Sequence, residues 1–224
     1  MLYFIPTPVW NKNDITLRAL DLFKQLQIFL CEDTRTTKKL LNMYDIDYQD
    51  KNFHSLTSFT HPGKLNFYVD LIRDNDVGVV SESGTPWLSD PGKELVRLCR
   101  ENDIKFEVLP GANALVPSVV SAFFDSSEFI FLGFLPKKKW KQTKMKFIIQ
   151  SEIPVFIYES VYRVEKTLQE IKNLWFDGKV LVCREISKMF EQKVCDHIDI
   201  VLDKVKKGEI VAKWEFVIWF YNTK

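Results

Sequence analysis

Residues 80–92 read VSESGTPWLSDPG and hold two of the chain's eight glycines, two prolines and two carboxylates among several hydroxyls. Gly84 lets a bound group approach the backbone, Pro86 and Pro91 stiffen the segment, and Glu82 offers a carboxylate to the hydroxyls of a sugar. The free amides of a helix starting near Asp90 suit a carboxylate or a phosphate. A second turn of this kind, LPGANALVPS over 109–118, sets Pro110 and Gly111 before Ala112, Asn113 and Ala114. Neither stretch reads G-x-G-x-x-G with an acid about twenty residues on, nor G-x-x-x-x-G-K-[ST], so the dinucleotide and nucleoside triphosphate fingerprints are both missing. The implied ligand is small and generic motifs do not name it. Glycine and proline at strand ends also serve as plain punctuation, and Asp90 before Pro91 is the usual pairing of an N-cap with a first-turn proline. From spacing alone the simpler reading leads.

The elements that must carry these turns are short apolar runs alternating with amphipathic ones, the pattern of an α/β protein. Strands are predicted at 2–5, 27–31, 52–56, 77–81 and 104–109, with helices at 14–25, 34–43, 63–74, 92–101 and 113–123, and such crossovers imply parallel strands. Asp14 is the expected cap of the first helix, whose apolar side is Leu17, Leu20, Leu22 and Phe23. Ligands of an open parallel sheet bind beyond the carboxyl ends of its strands, where both turns fall. After about residue 125 the rhythm changes: a strand in EFIFLGFLP, a lysine-rich block, strands in IPVFIYES and KVLVCRE, a helix over 161–175, a strand near 188–194, a helix over 196–206 and a last strand in EIVAKWEFVIWFY. The expected organisation is an N-terminal α/β domain over 1–115 and a C-terminal α/β domain over 116–224.

Composition bounds the rest. A chain of 224 residues, 46% hydrophobic and 27% charged, can bury one large core or two modest ones and does not read as disordered. The start, MLYFIPTPVW, shows no basic leader, and no apolar run approaches the roughly 18 residues of a membrane helix, so the chain reads as cytoplasmic. Cys31, Cys99, Cys183 and Cys195 are far apart and there are three histidines, which indicates neither a disulfide framework nor a zinc site. Net charge is +1, yet residues 137–146, KKKWKQTKMK, carry six lysines and no acid around Trp140.

Six segments in order, PTPVWNKNDITLRAL (6–20), CEDTRTTKKLL (31–41), VSESGTPWLSDPG (80–92), LPGANAL (109–115), FLGFLPKK (131–138) and YESVYR (158–163), resemble the ribosomal RNA small subunit methyltransferase I family of the tetrapyrrole methylase-like superfamily. The resemblance implies a two-domain fold, an N-terminal mostly parallel sheet domain plus a C-terminal mixed-sheet α/β domain, with S-adenosylmethionine in the interdomain cleft, and usually a homodimer. It implies 2′-O-methylation of a cytidine ribose in small-subunit ribosomal RNA. On this pattern Glu82, Ser83, Gly84, Thr85, Pro86 and Asp90, with Pro110, Gly111, Ala112, Asn113 and Ala114, hold the methionine and ribose ends of the cofactor. Phe134, Leu135, Tyr158 and Glu159 then lie near its adenine.

A protonated ribose hydroxyl is a poor nucleophile, so a carboxylate positioned to take its proton is expected, and Glu32 or Asp33 is the candidate. The same pair reads equally as helix-start acids favoured by the macrodipole. Arg35 either holds an RNA phosphate or pairs with Glu32 or Asp33. Lys38 and Lys39, with Arg163 and the lysines of 137–146, Lys137, Lys138 and Lys139 first among them, are the expected basic rim for RNA, against the plainer reading of a solvated helix face. Trp10 and Asn11 complete the substrate candidates; the family pattern has Gly where Trp10 stands, so the indole either stacks on a base, covers the cofactor or fills an emptied pocket. Glu82 and Ser83 replace Asp and Ala, Asn113 stands where Ser is common, and ESVYR replaces ESPHR. The family pattern generally continues with a further helical segment beyond VIWFYNTK. No metal is expected. Two other functions stay open: a non-catalytic homologue that binds RNA or cofactor, and a small-molecule methylase of the tetrapyrrole type.

Overall fold

A computed structural model of the chain describes residues 1–87, 92–122, 127–211 and 215–222. It divides into two compact units, Met1–Asn113 and Ala114–Lys224.

Unit 1 is a five-stranded sheet of β1 (Leu2–Ile5), β2 (Ile28–Cys31), β3 (Asn52–Ser55), β4 (Val77–Val80) and β5 (Phe106–Val108), in the order β3-β2-β4-β1-β5. Every neighbouring pair is parallel. Parallel neighbours need crossovers, and the chain supplies them as α1 (Leu17–Gln25), α2 (Thr34–Met43), α3 (Pro62–Asp74) and α4 (Lys93–Glu101). The inner strands β1, β2 and β4 are apolar on both faces because helices cover both, whereas the edge strands β3 and β5 carry polar residues. Leu2, Phe4, Val77 and Val79 pack with Leu65, Tyr68 and Ile72 of α3 and Leu95 and Cys99 of α4. Ile5, Phe29, Cys31 and Val80 pack with Ala19 and Phe23 of α1 and Leu41 of α2.

Unit 2 is a mixed sheet of β6 (Ile130–Phe134), β7 (Val155–Glu159), β8 (Lys179–Arg184), β9 (Gln192–His197) and β10 (Phe216–Tyr221), in the order β6-β7-β10-β8-β9. Only β6 and β7 run parallel; the other neighbours are antiparallel. One face buries Val155, Ile157, Val180, Val182 and Ile218 beneath α6 (Lys141–Gln150), α7 (Val164–Asn173) and α8 (Ile198–Lys206). The other packs Phe156, Leu181, Val217 and Trp219 against Leu115 and Val119 of the short α5 (Leu115–Ser121). Among the described residues no helix is long and apolar enough to cross a membrane.

Three expectations need correction. Thr16, not Asp14, caps α1: its hydroxyl accepts from the Ala19 amide at 3.1 Å, while Asp14 ends a 3-10 turn, Lys12–Asp14. The lysine block was assigned no element, yet it runs into α6, which buries only Met145 and Ile148, too few apolar positions to give a helical stripe among the lysines. The strand expected near 188–194 begins only at Gln192, because left-handed residues Glu185 and Ser187 fold the preceding stretch into turns. α4 begins behind Gly92, with no side-chain cap; Asp90 and Pro91 lie outside the described residues.

Candidate functional site

β1 and β4 are neighbours that leave the sheet in opposite directions, β1 into α1 on one face and β4 into α4 on the other. Such a switch of direction opens a crevice at the carboxyl ends of the two strands. The loops that rise there are tied together. The Thr7 amide donates to the Gly84 carbonyl at 2.9 Å and the Gly84 amide to the Thr7 carbonyl at 3.1 Å. Hydroxyls complete the lacing: Ser81 donates to the Gly84 carbonyl at 2.9 Å, Ser83 to that of Val9 at 3.2 Å and Thr85 to that of Ala112 at 3.2 Å.

Both glycines serve this lacing. Gly84 has φ of 81°, the left-handed region, and a side chain there would make ordinary contacts with Ala112 and Val9, so conformation is what demands glycine. A Cβ on Gly111 would lie 2.4 Å from Cβ of Pro6, so close approach demands it there. Ser83 and Thr85, expected to hold the cofactor, donate to loop carbonyls, which need donors where they turn inward. Asn113 likewise turns back to the Gly111 carbonyl at 3.4 Å. Glu82 remains exposed beside buried Ser81, while Pro86 is buried.

Next to these loops, wholly within unit 1, lies a pocket of about 160 Å³. Pro8, Trp10 and Lys12 line it from the loop after β1, Ser81 and Glu82 from the loop after β4, and Thr36, Thr37, Lys39, Leu40 and Met43 from α2. The α2 residues form one helical stripe at spacings of three and four, a signal present in the sequence that pointed to no site until α2 was placed. Lys12, Thr36, Thr37, Leu40 and Met43 were missed, whereas Lys39 was among the residues expected on a basic rim. Lys38, predicted together with Lys39, sits with Nζ 5.2 Å from the Phe53 ring and 6.0 Å from that of Tyr48 and does not line the pocket. Asn11 uses its side-chain oxygen to cap the 3-10 turn, accepting from Asn13.

At the start of α2 the alternatives for Asp33 and Arg35 resolve into a pair. Asp33 is the N-cap and accepts from the Arg35 amide at 2.8 Å, while the guanidinium reaches Oδ1 at 3.1 Å through Nε and Oδ2 at 2.6 Å through Nη2. Those bonds hold the Asp33 carboxyl down at about 2. A group so acidic takes up no proton near neutrality. Glu32, half-buried directly after β2, is the other carboxylate at this strand end.

Unit 2 contains the remaining predicted residues. Glu159 is fully buried, accepts from the Ser160 amide at 2.9 Å and the Thr167 hydroxyl at 2.7 Å, and forms an ion pair with Arg163 Nε across 3.2 Å. Arg163 also donates to the Leu135 carbonyl at 2.9 Å. A carboxylate leaves water only when paired and hydrogen-bonded, so this knot joins α7 to the ends of β6 and β7. Glu159 and Arg163, predicted to meet cofactor and RNA, pair with each other. Tyr158 packs edge-on against Phe131 and Phe134, at centroid distances of 4.8 and 5.6 Å. Leu135 is buried. Lys137, Lys138 and Lys139 are exposed, Lys139 lying 5.6 Å from the Trp140 ring, whereas Lys141 pairs with Glu170. Among the described residues no group of three His, Cys, Asp or Glu side chains could hold a metal ion.

Residues 1–199 match the family model of tetrapyrrole (corrin/porphyrin) methylases. Proteins called ribosomal RNA small subunit methyltransferase I are similar along nearly the whole chain. The one from Hydrogenobaculum sp. (strain Y04AAS1) is 38% identical over 94% of this chain and 93% of its own. The one from Mycoplasmopsis pulmonis (strain UAB CTIP) is 36% identical over 98% and 97%. Among solved structures, uroporphyrin-III C-methyltransferase from Thermus thermophilus, complexed with S-adenosylhomocysteine, has a TM-score of 0.66 at 17% identity, covering 98% of this chain and 96% of that one. A cobalt precorrin-4 methyltransferase of cobalamin biosynthesis has a TM-score of 0.66 at 17% identity, covering 98% and 94%. At such identities the two structures share the fold.

Proposed function

The chain belongs to the tetrapyrrole (corrin/porphyrin) methylase family and, within it, to the ribosomal RNA small subunit methyltransferase I proteins, and from that membership we propose that it transfers a methyl group from S-adenosylmethionine to a ribose 2′-hydroxyl of small-subunit ribosomal RNA. The observation that carries the reading is the neighbourhood, inside unit 1, of the laced loops and the pocket beside them, where an indole, two lysines and a carboxylate gather.

The loops fit the donor. Gly84 and Gly111 allow the segments 82–86 and 110–114 to pack closely, and the exposed Glu82 carboxylate suits an ammonium or the hydroxyls of a ribose. When bound, S-adenosylmethionine supplies an electrophilic methyl carbon on a positively charged sulfur. The protein's part is mostly orientation, holding the hydroxyl oxygen in line with that carbon at near-attack distance. Glu32 would take the hydroxyl proton as the oxygen–carbon bond forms and the carbon–sulfur bond breaks, S-adenosylhomocysteine being the leaving group. Asp33 does not, because both its oxygens are bonded to Arg35, which leaves the carboxylate a weak proton acceptor; the pair fixes the start of α2 and with it the pocket-lining stripe. Lys12 and Lys39 hold phosphates of the strand.

Small ribosomal subunits purified from cells lacking the protein, incubated with it and labelled donor, are expected to gain a 2′-O-methyl group at a defined nucleotide. Label on a base, or on a tetrapyrrole with none on RNA, would replace the reading.

A further inference from the structure

The pocket beside the laced loops has one feature that methyl transfer does not require. Trp10 is 55% exposed, as several other aromatic side chains are, and is set apart by standing in the wall of the pocket. Its segment is firmly held: Thr7 is bonded in both directions to Gly84, the Val9 carbonyl accepts from Ser83, and Asn11 caps the turn that follows. The indole is therefore presented on a stiff loop. Pro8, Leu40 and Met43 supply further apolar lining, and Lys12 and Lys39 supply cations at the same opening. At about 160 Å³ the pocket is well below the roughly 300–1,000 Å³ that encloses a whole drug-sized ligand, and it suits a single ring system.

We propose that Trp10 is a stacking platform that receives one unpaired RNA base flanking the methylated ribose, while Lys12 and Lys39 hold the phosphates that lead into and out of that nucleotide. The inference rests on RNA being the substrate. An aromatic face, a cavity for one ring and two cations together form the pattern by which proteins grip single strands, because every base has a π-face and every nucleotide a phosphate. The platform acts on substrate affinity and leaves the donor site alone.

The test is equilibrium binding of a fluorescein-labelled oligocytidylate of about eight nucleotides, within the range of single-strand site sizes, read by anisotropy. Trp10→Ala is expected to weaken binding roughly 5- to 150-fold, the span found for loss of one base–aromatic stack, with Trp10→Phe retaining most of the affinity. An oligonucleotide of abasic sites should bind the wild type as weakly as the ordinary one binds Trp10→Ala. Lys12→Ala and Lys39→Ala should each lower the slope of log affinity against log salt by about 0.7. Calorimetry should give one affinity for S-adenosylmethionine in wild type and Trp10→Ala. RNA affinity unchanged in Trp10→Ala, or donor affinity lost with it, overturns the platform. A wild type that binds RNA in this Trp10-dependent way but transfers no methyl group overturns the methylation reading and leaves the platform. One that methylates RNA with no dependence on Trp10 removes the platform alone, and one that binds no RNA removes both.

Discussion

Two groups of charged side chains, one in each unit, looked alike as candidates and differ in what answers their charge. In unit 1, Glu82 is exposed and Lys12 and Lys39 line an opening. In unit 2, Glu159 and Arg163 answer each other four residues apart, with Thr167, Ser160 and the Leu135 carbonyl completing their hydrogen bonds. A buried ion pair with its hydrogen bonds complete organises the protein, whereas charges left at an opening are available to a ligand. The difference separates scaffold from site.

Breaking the internal knot should have the largest effect. Glu159→Ala leaves the Arg163 guanidinium without its carboxylate in a mostly buried place, and a loss of about 3–5 kcal/mol is expected in urea unfolding followed by a probe in unit 2. A loss below about 1 kcal/mol would mean that the pair is no part of the scaffold. On the other side of the comparison, Glu32→Gln should leave the fold intact and slow methyl transfer by roughly 10²–10⁴-fold, with donor affinity by calorimetry unchanged. An unchanged rate would reduce Glu32 to a helix-start acid.

Between these extremes are the laced loops, which are scaffold and site at once. Gly111→Ala would drive a methyl group into the Pro6 ring, and about 1–3 kcal/mol of destabilisation is expected together with weaker donor binding. Normal donor affinity in a destabilised variant would separate the packing of the loops from their use. The smallest effect belongs to Asp33. Its folded carboxyl lies near 2 and its unfolded one near 3.9, so the stability it contributes is present above about pH 4 and is lost as pH falls towards 2. Acid titration of Asp33→Asn should therefore show a flatter fall than wild type over that window, while methyl transfer near neutrality stays comparable.

Much of unit 1 was legible. The unbroken apolar run at Val77–Val80 announced a strand buried on both faces, and α2 occupies the span its spacing predicted, 34–43. The parallel sheet followed from alternation of strand and helix. Less legible was α6, because its lysines hide the few apolar positions it buries. The choice of Thr16 over Asp14 as cap depends on where the chain turns, and both residue types suit the role. At the site, the glycine-rich turns were visible, but the partner each glycine serves was not. Gly111 meets Pro6 from a segment some hundred residues earlier, and only the sheet order brings them together.

The amino-acid order alone determined which segments of unit 1 become strands and helices, that the first sheet is parallel, and that small and charged residues collect at strand ends, because periodicity and turn chemistry act over a few neighbours. Which charges face outward was decided only by tertiary structure. Arg163 and Lys39 are both basic residues at helices, yet packing of β6, β7 and α7 encloses the first with a carboxylate, and placement of α2 beside the loop after β1 leaves the second lining a pocket. A charge takes its partner from whatever the fold brings within a few ångströms, and that distance is set by contacts remote in the chain.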